Sequence, residues 1–226
     1  MRNVYLLILF FSLGAHAAET NFYQDQIQPT LEKSSDEIGV KLWLGGVASV
    51  LVARHYDDQV REQWRLNQKM SRSETRSFND YIDNGVNFGI ALTQYFVDRE
   101  NGISHLRALG FTAVTTTAMK KAFRRERPNQ SNHDSFPSGH TSSAFATATS
   151  LTHAYGWRAA VIFYPLSVGV GLSRISSDDH WFSDVVGGAF LGFIWGRAGY
   201  FHSTSNSAVV PWIEGDAGGL IWTARY

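Results

Sequence analysis

Apolar residues recur along most of this 226-residue chain three or four positions apart, the spacing of one helix face, rather than at every second position. A strand-based core needs the alternating pattern, so this spacing predicts an all-α fold built from roughly six helices. The predicted helices cover residues 36–54, 71–97, 104–127, 138–156, 157–173 and 179–199.

Capping and helix-breaking residues set the predicted helix ends. The capping-box pattern over residues 71–74 favours a helix start. Asn101-Gly102 is expected to end that helix, because both residues favour turns. The next helix is expected to stop near Arg127, since Pro128 disfavours helical geometry in the residue before it.

The start of the chain is typical of an export signal. Arg2 supplies the positive charge, residues 4–13 form an apolar run, and Ala15-His16-Ala17 matches a small-x-small cleavage site. The run is shorter than the ~20 residues that cross a bilayer. We therefore predict a signal peptide over residues 1–17 and an exported, periplasmic protein.

The remaining chain divides into a helical domain, residues 18–206, and a short appendage. Two apolar stretches, 209–213 and 220–226, flank a glycine-rich turn. Short apolar stretches around such a turn predict a β-hairpin. Residues 207–226 are thus expected to form a small C-terminal hairpin outside the bundle.

Charge and cysteine content exclude several function classes. Lys plus Arg number 20 and Asp plus Glu number 20, so no net field attracts nucleic acid. The chain has no Cys, which excludes disulfide scaffolds, thiolate nucleophiles and iron–sulfur clusters. Any anion chemistry must therefore be local.

Two stretches without charge, residues 159–173 and 185–195, raise the question of a membrane. Apolar runs of ~10 to 14 residues are more often buried core helices than spans. The mean hydropathy of −0.18 is also low for a chain with most of its mass in lipid. We therefore expect a soluble bundle. The alternative, a bundle that lies against a bilayer, fits the 7 Trp, 9 Tyr and 15 Phe.

The densest charge lies over residues 120–127, a basic stretch in a neutral protein. At helical spacing Lys120, Arg124 and Arg127 share one side of the third predicted helix, near its end. Three cations at one place suit a small anion. The alternative of a nucleic-acid surface lacks a second basic stripe or an aromatic platform.

A second polar motif lies at the start of the fourth predicted helix. Ser138 offers a hydroxyl at the cap, and Gly139 lets the backbone approach a ligand closely. The first N–H groups and the positive end of the helix dipole favour an anion there. His140 is expected in the first turn.

A third motif places Arg174 shortly before His180 and Asp184, which lie one helical turn apart. A carboxylate at that spacing can accept the Nδ1–H of the imidazole and leave Nε2 with its lone pair. Such a histidine can act as a nucleophile or a base. Taken alone, the pair is also typical of a structural hydrogen bond.

The three motifs follow one another as KxxxxxxRP over residues 120–128, PSGH over 137–140 and SRxxxxxHxxxD over 173–184. In this order they resemble the type 2 phosphatidic acid phosphatase (PAP2) family, which shares its site with bacterial class A acid phosphatases and vanadium-dependent haloperoxidases. The resemblance covers about residues 80–200. It implies a helical-bundle fold and metal-independent release of phosphate through a phosphohistidine intermediate.

The resemblance also implies a role for each motif residue. It assigns His180 as the nucleophile, Asp184 as the residue that orients it, and His140 as the general acid. The residues that it implies for binding phosphate are Lys120, Arg127, Ser138, Gly139 and Arg174.

Only eight residues, 129–136, separate the first two motifs, which is short compared with soluble acid phosphatases of the family. His133 and Asp134 lie in this linker and could contact substrate, but a polar surface loop is the favoured interpretation. Asp178, Asp179 and His180 could suggest a metal site, but the other histidines show no ligand spacing. We expect no metal and no cofactor.

Together, the resemblance and the export signal imply an envelope phosphatase whose substrate is a lipid such as phosphatidic acid or an isoprenyl diphosphate. Peripheral membrane contact is then expected, and a nucleic-acid partner is not. Three alternatives stay open: a periplasmic acid phosphatase acting on soluble phosphomonoesters, a vanadium-dependent haloperoxidase, and a phosphate-binding protein. The last would need the cations but neither His140 nor His180.

Overall fold

The computed structural model describes residues 23–67, residue 70, residues 84–201, and the backbone of strands at 207–214 and 217–224. The predicted signal peptide, residues 1–17, and the predicted helix start at 71–74 lie outside these described residues. Among the described residues between 23 and 201, every regular element is a helix. This confirms the prediction of an all-α domain.

A π-helical turn, Tyr23–Ile27, precedes eight α-helices in the described part of the chain. They are α1 Gln28–Ser34, α2 Glu37–His55, α3 Asp57–Asn67, α4 Asn84–Val97, α5 Arg99–Phe123, α6 Gly139–Tyr155, α7 Trp157–Ser176 and α8 Phe182–Ala198. The predicted number of roughly six was wrong. Helix α1 has only seven residues, and α3 is strongly polar, with Val60, Trp64 and Leu66 as its apolar residues.

Two predicted helix boundaries were also wrong. Asn101-Gly102 lies inside α5, and the break with α4 falls at Asp98. Gly102 is needed for close packing instead of a turn, because a Cβ there would collide with the backbone of Tyr95. At its other end α5 stops at Phe123, where Arg124 adopts a left-handed conformation with φ of 46°.

Helices α6 and α8 form the centre of the bundle, with α2, α5 and α7 packed around them. Three glycines at four-residue spacing, Gly188, Gly192 and Gly196, let α8 lie directly on α6. A Cβ on Gly188 would come within 2.6 Å of the Ser138 carbonyl oxygen. This close packing brings the start of α6 next to the start of α8. At this point Ser138 N donates a hydrogen bond to Asp184 O at 3.0 Å.

Helices α2 and α7 present apolar surface outward. They contain 19 and 20 residues, and each is long and apolar enough to cross a membrane. Only 17% of the apolar window of α2 and 39% of that of α7 is buried. The expectation of a soluble bundle with short core helices does not fit them. Helix α7 extends beyond the uncharged run 159–173, α2 lies outside both uncharged runs, and both helices expose large aliphatic side chains.

The described C-terminal residues form two antiparallel strands, β1 Ser207–Glu214 and β2 Ala217–Ala224. Their register runs from Ser207 opposite Ala224 to Glu214 opposite Ala217. Strand β1 lies beside α5. These strands include 209–213 and 220–224 of the two apolar stretches that were expected to form a hairpin, and residues 225–226 lie outside the described residues.

Candidate active site

Three chain segments from the three sequence motifs meet at one end of the bundle. The segment after α5 is joined to the segment before α8 by Asn129 N, which donates to Asp178 O at 3.1 Å. It is joined to the segment before α6 by Ser135 N, which donates to Arg125 O at 3.0 Å. The structure therefore places all three motifs at the same end of the bundle.

His180 and Asp184 lie side by side at the start of α8. The His180 Nδ1 atom is 3.7 Å from Asp184 Oδ2, and the two side chains are 3% and 0% exposed. This separation is longer than a hydrogen bond, and Nδ1 has no hydrogen-bond partner among the described residues. Catalytic hydrogen bonds are often this long before substrate binds.

The protonation of His180 is set mainly by burial. Burial lowers the pKa of His180 below its usual 6.5, and the charges of Lys120 and Arg127 act in the same direction. The neighbouring Asp184 carboxylate opposes them without reversing the shift. The imidazole is therefore held neutral, the state in which a ring nitrogen can act as a nucleophile.

The Asp184 carboxylate accepts hydrogen bonds from three residues other than His180, which lies too far away to donate one. Arg125 Nη1 donates to Oδ1 at 2.6 Å, Trp181 N donates to Oδ2 at 2.9 Å, and the Ser135 hydroxyl also donates to Oδ2. Burial alone would raise the pKa of Asp184, but the nearby His180, the charge of Arg125 and the Ser135 bond outweigh it, so the pKa lies below the usual value. The carboxylate is thus ionised and fixed in position.

Arg125 is itself held by a second buried carboxylate, Asp57, at the start of α3. Arg125 Nη2 donates to Asp57 Oδ2 at 2.7 Å, and Nη1 donates to Ser183 Oγ at 2.7 Å. Ser183 N and Ser183 Oγ both donate to Asp57, at 2.8 and 2.7 Å. Sequence reasoning missed Arg125 and Asp57, because Asp57 is distant in the chain and Arg125 lies among other basic residues.

Helix α3 also secures the loops of the site through Arg61. Its guanidinium forms two bonds of 2.7 Å to Asp178 and one of 2.6 Å to the Pro128 carbonyl. Arg61 and Arg125 each lie 5.4 Å from the Trp181 ring centroid, within cation–π range. A helix that the sequence pattern did not indicate therefore fixes the first and third motifs.

Arg174 is almost buried at the end of α7, with 7% of its surface exposed. It forms an ion pair with Asp179, which also accepts from Ser177 Oγ at 2.7 Å. Burial would raise the pKa of Asp179, but Ser177 and the charge of Arg174 hold it below the usual value. Arg127 Nη1 lies 3.8 Å from the same carboxylate. Asp179 thus balances the positive charge of Arg174 and Arg127, two residues that are predicted to bind phosphate.

The prediction that Lys120, Arg124 and Arg127 share a helix face was wrong, because α5 ends at Phe123. Arg124 is exposed. Lys120 instead donates to the Asp134 carbonyl, and burial followed by the charge of Arg127 lowers the pKa of Lys120 to about 8. Lys120 and Arg127 therefore come together through the loop after α5.

The start of α6 has the expected helix geometry. Ser138 is its N-cap residue, fully buried, with extended backbone angles. Its side chain makes no capping bond, contrary to the predicted role of that hydroxyl at the cap, and its Oγ accepts instead from Thr141 Oγ1 at 3.0 Å. Gly139 and the partly buried His140 occupy the first turn.

Buried donors at this site lack acceptors. The Nε atoms of Arg127 and Arg174 are buried and have no hydrogen-bond partner among the residues described. Buried polar groups are otherwise almost always paired, so two such donors beside Lys120 and the α6 N-terminus indicate a place for an anion. We refer to the five residues that are predicted to bind phosphate, Lys120, Arg127, Ser138, Gly139 and Arg174, as the phosphate cage.

Two linker residues that were considered as substrate contacts, His133 and Asp134, are exposed on the loop before α6. Asp134 accepts a hydrogen bond from Lys120 through its backbone carbonyl. Within the described residues, no group of three or more His, Asp or Glu side chains is arranged to hold a metal ion.

Comparison with known proteins agrees with this geometry. Residues 101–206 match the model of the PAP2 superfamily, and this range contains all three motifs. A lipid A 1-phosphatase of Porphyromonas gingivalis is 32% identical over an alignment of 172 residues. The alignment covers 70% of this chain and 37% of that relative. The chain therefore spans little more than a third of the length of this curated relative.

Two solved structures share the fold. The crystal structure of Aquifex aeolicus LpxE is 26% identical, with a TM-score of 0.53 over 60% of this chain and 90% of the other. A transmembrane PAP2-type phosphatidylglycerolphosphate phosphatase from Bacillus subtilis is 20% identical, with a TM-score of 0.55 over 69% of this chain and 90% of the other.

Proposed function

The chain belongs to the PAP2 superfamily, and from this premise we propose that it is a membrane-associated phosphatase of lipid phosphates. The reaction is hydrolysis of a phosphate ester or diphosphate, through a phosphohistidine intermediate and without a metal. The observation that carries this proposal is the pair of unpaired buried Nε donors, Arg127 and Arg174, beside a buried neutral His180.

In the first step, Nε2 of His180 attacks phosphorus while the bond from phosphorus to the leaving oxygen breaks. Asp184 orients the imidazole and stabilises the positive charge that develops on it. His140 donates a proton to the leaving oxygen. The phosphate cage stabilises the negative charge spread over the equatorial oxygens, which is the main source of catalysis in phosphoryl transfer.

In the second step, a water molecule attacks the phosphohistidine. His140, now neutral, accepts a proton from that water, the phosphorus–nitrogen bond breaks, and inorganic phosphate leaves. The two histidines need opposite protonation states at the start, His180 neutral and His140 protonated. A bell-shaped dependence of rate on pH follows.

The membrane lipids of the cell envelope are the proposed source of substrate. Helices α2 and α7 are long and apolar enough to contact lipid over much of their length. The curated relative is named for removal of a phosphate from lipid A, so a glycolipid phosphate is the first substrate to test, followed by phosphatidic acid and an isoprenyl diphosphate. An exported protein with its site at the periplasmic surface would meet these lipids.

The test is phosphate release by the purified protein in detergent micelles. The panel contains lipid A 1-phosphate, phosphatidic acid, an isoprenyl diphosphate and soluble para-nitrophenyl phosphate. We expect at least one lipid to be hydrolysed with a higher kcat/KM than the soluble ester. His180→Ala should reduce release by about a thousandfold or more, because it removes the nucleophile.

The matched control is His133→Ala, which removes an exposed histidine from the loop before α6. This variant should keep the wild-type rate. Wild-type turnover by the His180 variant would refute the assignment. A preference for the soluble ester would favour a periplasmic acid phosphatase, and bromide oxidation with added vanadate and peroxide would favour the haloperoxidase.

A further inference from the structure

An apolar cleft of about 510 Å³ runs between α2, α5 and α8. Its walls include Trp43, Val47 and Val50 of α2, Met119 of α5, and Phe190 and Ile194 of α8. A volume of this size is in the range of small-molecule sites in proteins. The charged residues among its described lining are Arg54 and Arg125.

One end of this cleft reaches the residues that support His180. Arg125 lines the cleft and also donates to Asp184, the partner of His180. Phe136 lines it two residues before Ser138, and Gly187 lines it less than one helical turn after Asp184. Arg125 of the first motif therefore lines the cleft, and Phe136 and Gly187 are close neighbours of the second and third motifs in the chain.

The other end of the cleft extends along the exposed face of α2. From Arg54 to Trp43 the lining residues span about 17 Å of helix, at 1.5 Å per residue. Val47 and Leu51 line the cleft and are also 57% and 65% exposed, so the cleft opens sideways on the surface that would face lipid. The cleft therefore has an arginine, Arg54, at one end of α2 and apolar residues toward the other end. This arrangement matches a lipid with an anionic head group and a hydrocarbon tail.

We propose that this cleft binds one acyl chain of the lipid whose phosphate group occupies the cage. The inference rests on the proposed function and adds the part of the site that selects among lipids. A chain seated along α2 anchors the substrate beside His180, and the width of the cleft at Val47 limits which tails fit. A soluble ester has no tail and does not use this binding site.

The experiment fills the cleft at its exposed side. In Val47→Trp a large ring occupies the space beside α2, and we expect the ratio of kcat/KM for a long-chain lipid phosphate to that for para-nitrophenyl phosphate to fall about tenfold. Val47→Leu should lower the ratio less and shift preference toward shorter tails. Val161→Trp is the matched control, because Val161 is 61% exposed on α7, outside the cleft lining.

The outcomes separate the two proposals. An unchanged ratio in a folded Val47→Trp protein, or an equal fall in Val161→Trp, overturns the acyl site while leaving the phosphatase assignment in place. A change of oligomeric state in Val47→Trp without a change of ratio, measured by light scattering in detergent, would make the cleft an interface between copies and also overturn it. A wild-type protein inactive on every substrate refutes the proposed function itself.

Discussion

The motif end of the bundle and the outer faces of α2 and α7 are built in opposite ways. At the motif end, Asp184 is 0% exposed and accepts bonds from Arg125, Ser135 and Trp181. On the outer faces, Leu44 of α2 is 66% exposed, and its surroundings are other aliphatic side chains on the same surface. The first region depends on directional contacts, and the second depends on an apolar environment.

This difference shows which substitutions each region tolerates. A buried ionic network loses a large part of its function when one partner is removed, because the remaining charge is left without a partner. An exposed aliphatic face loses only the transfer free energy of one side chain. Substitutions in the two regions should therefore differ in the size of their effect and in the property they change.

The largest difference is expected from Arg174→Lys. Lysine keeps the positive charge but loses the planar group of donors that can hold two phosphate oxygens. We expect kcat/KM for a lipid phosphate to fall about a hundredfold, as for other preorganised contacts to the transition state. Steady-state phosphate release measures this effect.

The control for that variant is Arg158→Lys, which makes the same change on an exposed arginine of α7. It should retain the wild-type kcat/KM. Equal losses in the two variants would mean that the contrast between motif end and outer face is wrong.

A smaller effect is expected from Arg125→Gln. Arg125 is a positioning residue, since it contacts Asp184 and Asp57 and acts on His180 through Asp184. We expect kcat to fall about tenfold with little change in KM, because Asp184 loses its charged hydrogen-bond donor. Arg125→Lys, which restores the charge, should recover part of the rate.

The pH dependence of this variant distinguishes positioning from a structural defect. The charge of Arg125 helps to hold the pKa of Asp184 below its usual value, so its removal raises that pKa. The ionised carboxylate stabilises the folded protein above the unfolded pKa, and this stability is lost as pH falls through the folded pKa. Activity and stability of Arg125→Gln should therefore both decline at a higher pH than in wild type. If activity and stability of Arg125→Gln both decline at the same acidic pH as in wild type, the positioning role is contradicted.

The smallest effect on catalysis is expected from Leu44→Asp. Leu44 is on α2 but outside the cleft lining, so hydrolysis of para-nitrophenyl phosphate in detergent should change less than about twofold. A carboxylate near the centre of a membrane helix costs about 2.5 to 3.5 kcal/mol, so association with lipid vesicles should fall. Flotation with vesicles measures this association.

The comparison variant is Gln59→Asp, which adds a carboxylate to an exposed position of the polar helix α3. It should float with vesicles as wild type does. If Leu44→Asp behaves in the same way, α2 does not contact lipid.

Most of the helical domain could be predicted from local sequence. The first predicted helix, residues 36–54, agrees with α2, since Asp36 is its N-cap and accepts from Gly39 N at 2.7 Å. The start of α6 after Ser138 was also predicted. The break at Asn101-Gly102 was wrong because glycine is permitted both by turns and by close helix contact, and only the neighbour Tyr95 distinguishes them.

The candidate site shows the same limit. Motif order predicted the residues of the phosphate cage and the two histidines, and this assignment stays a prediction. The support for Asp184 was not predicted, because Asp57 and Ser135 are 127 and 49 positions away in the chain. Common residue types such as these carry no signal until the fold places them beside a partner.

By itself, the sequence determined the helical class, the residues of the three motifs and the family to which they belong. These properties follow from periodicity, capping and short-range order, all of which act over a few residues. The tertiary structure decided the rest: that Asp57 holds Arg125 and Arg125 holds Asp184, that α2 and α7 turn apolar faces outward, and that an apolar cleft reaches Arg125. Each of these depends on contacts between segments far apart in the chain, and packing in three dimensions alone determines which distant residues meet.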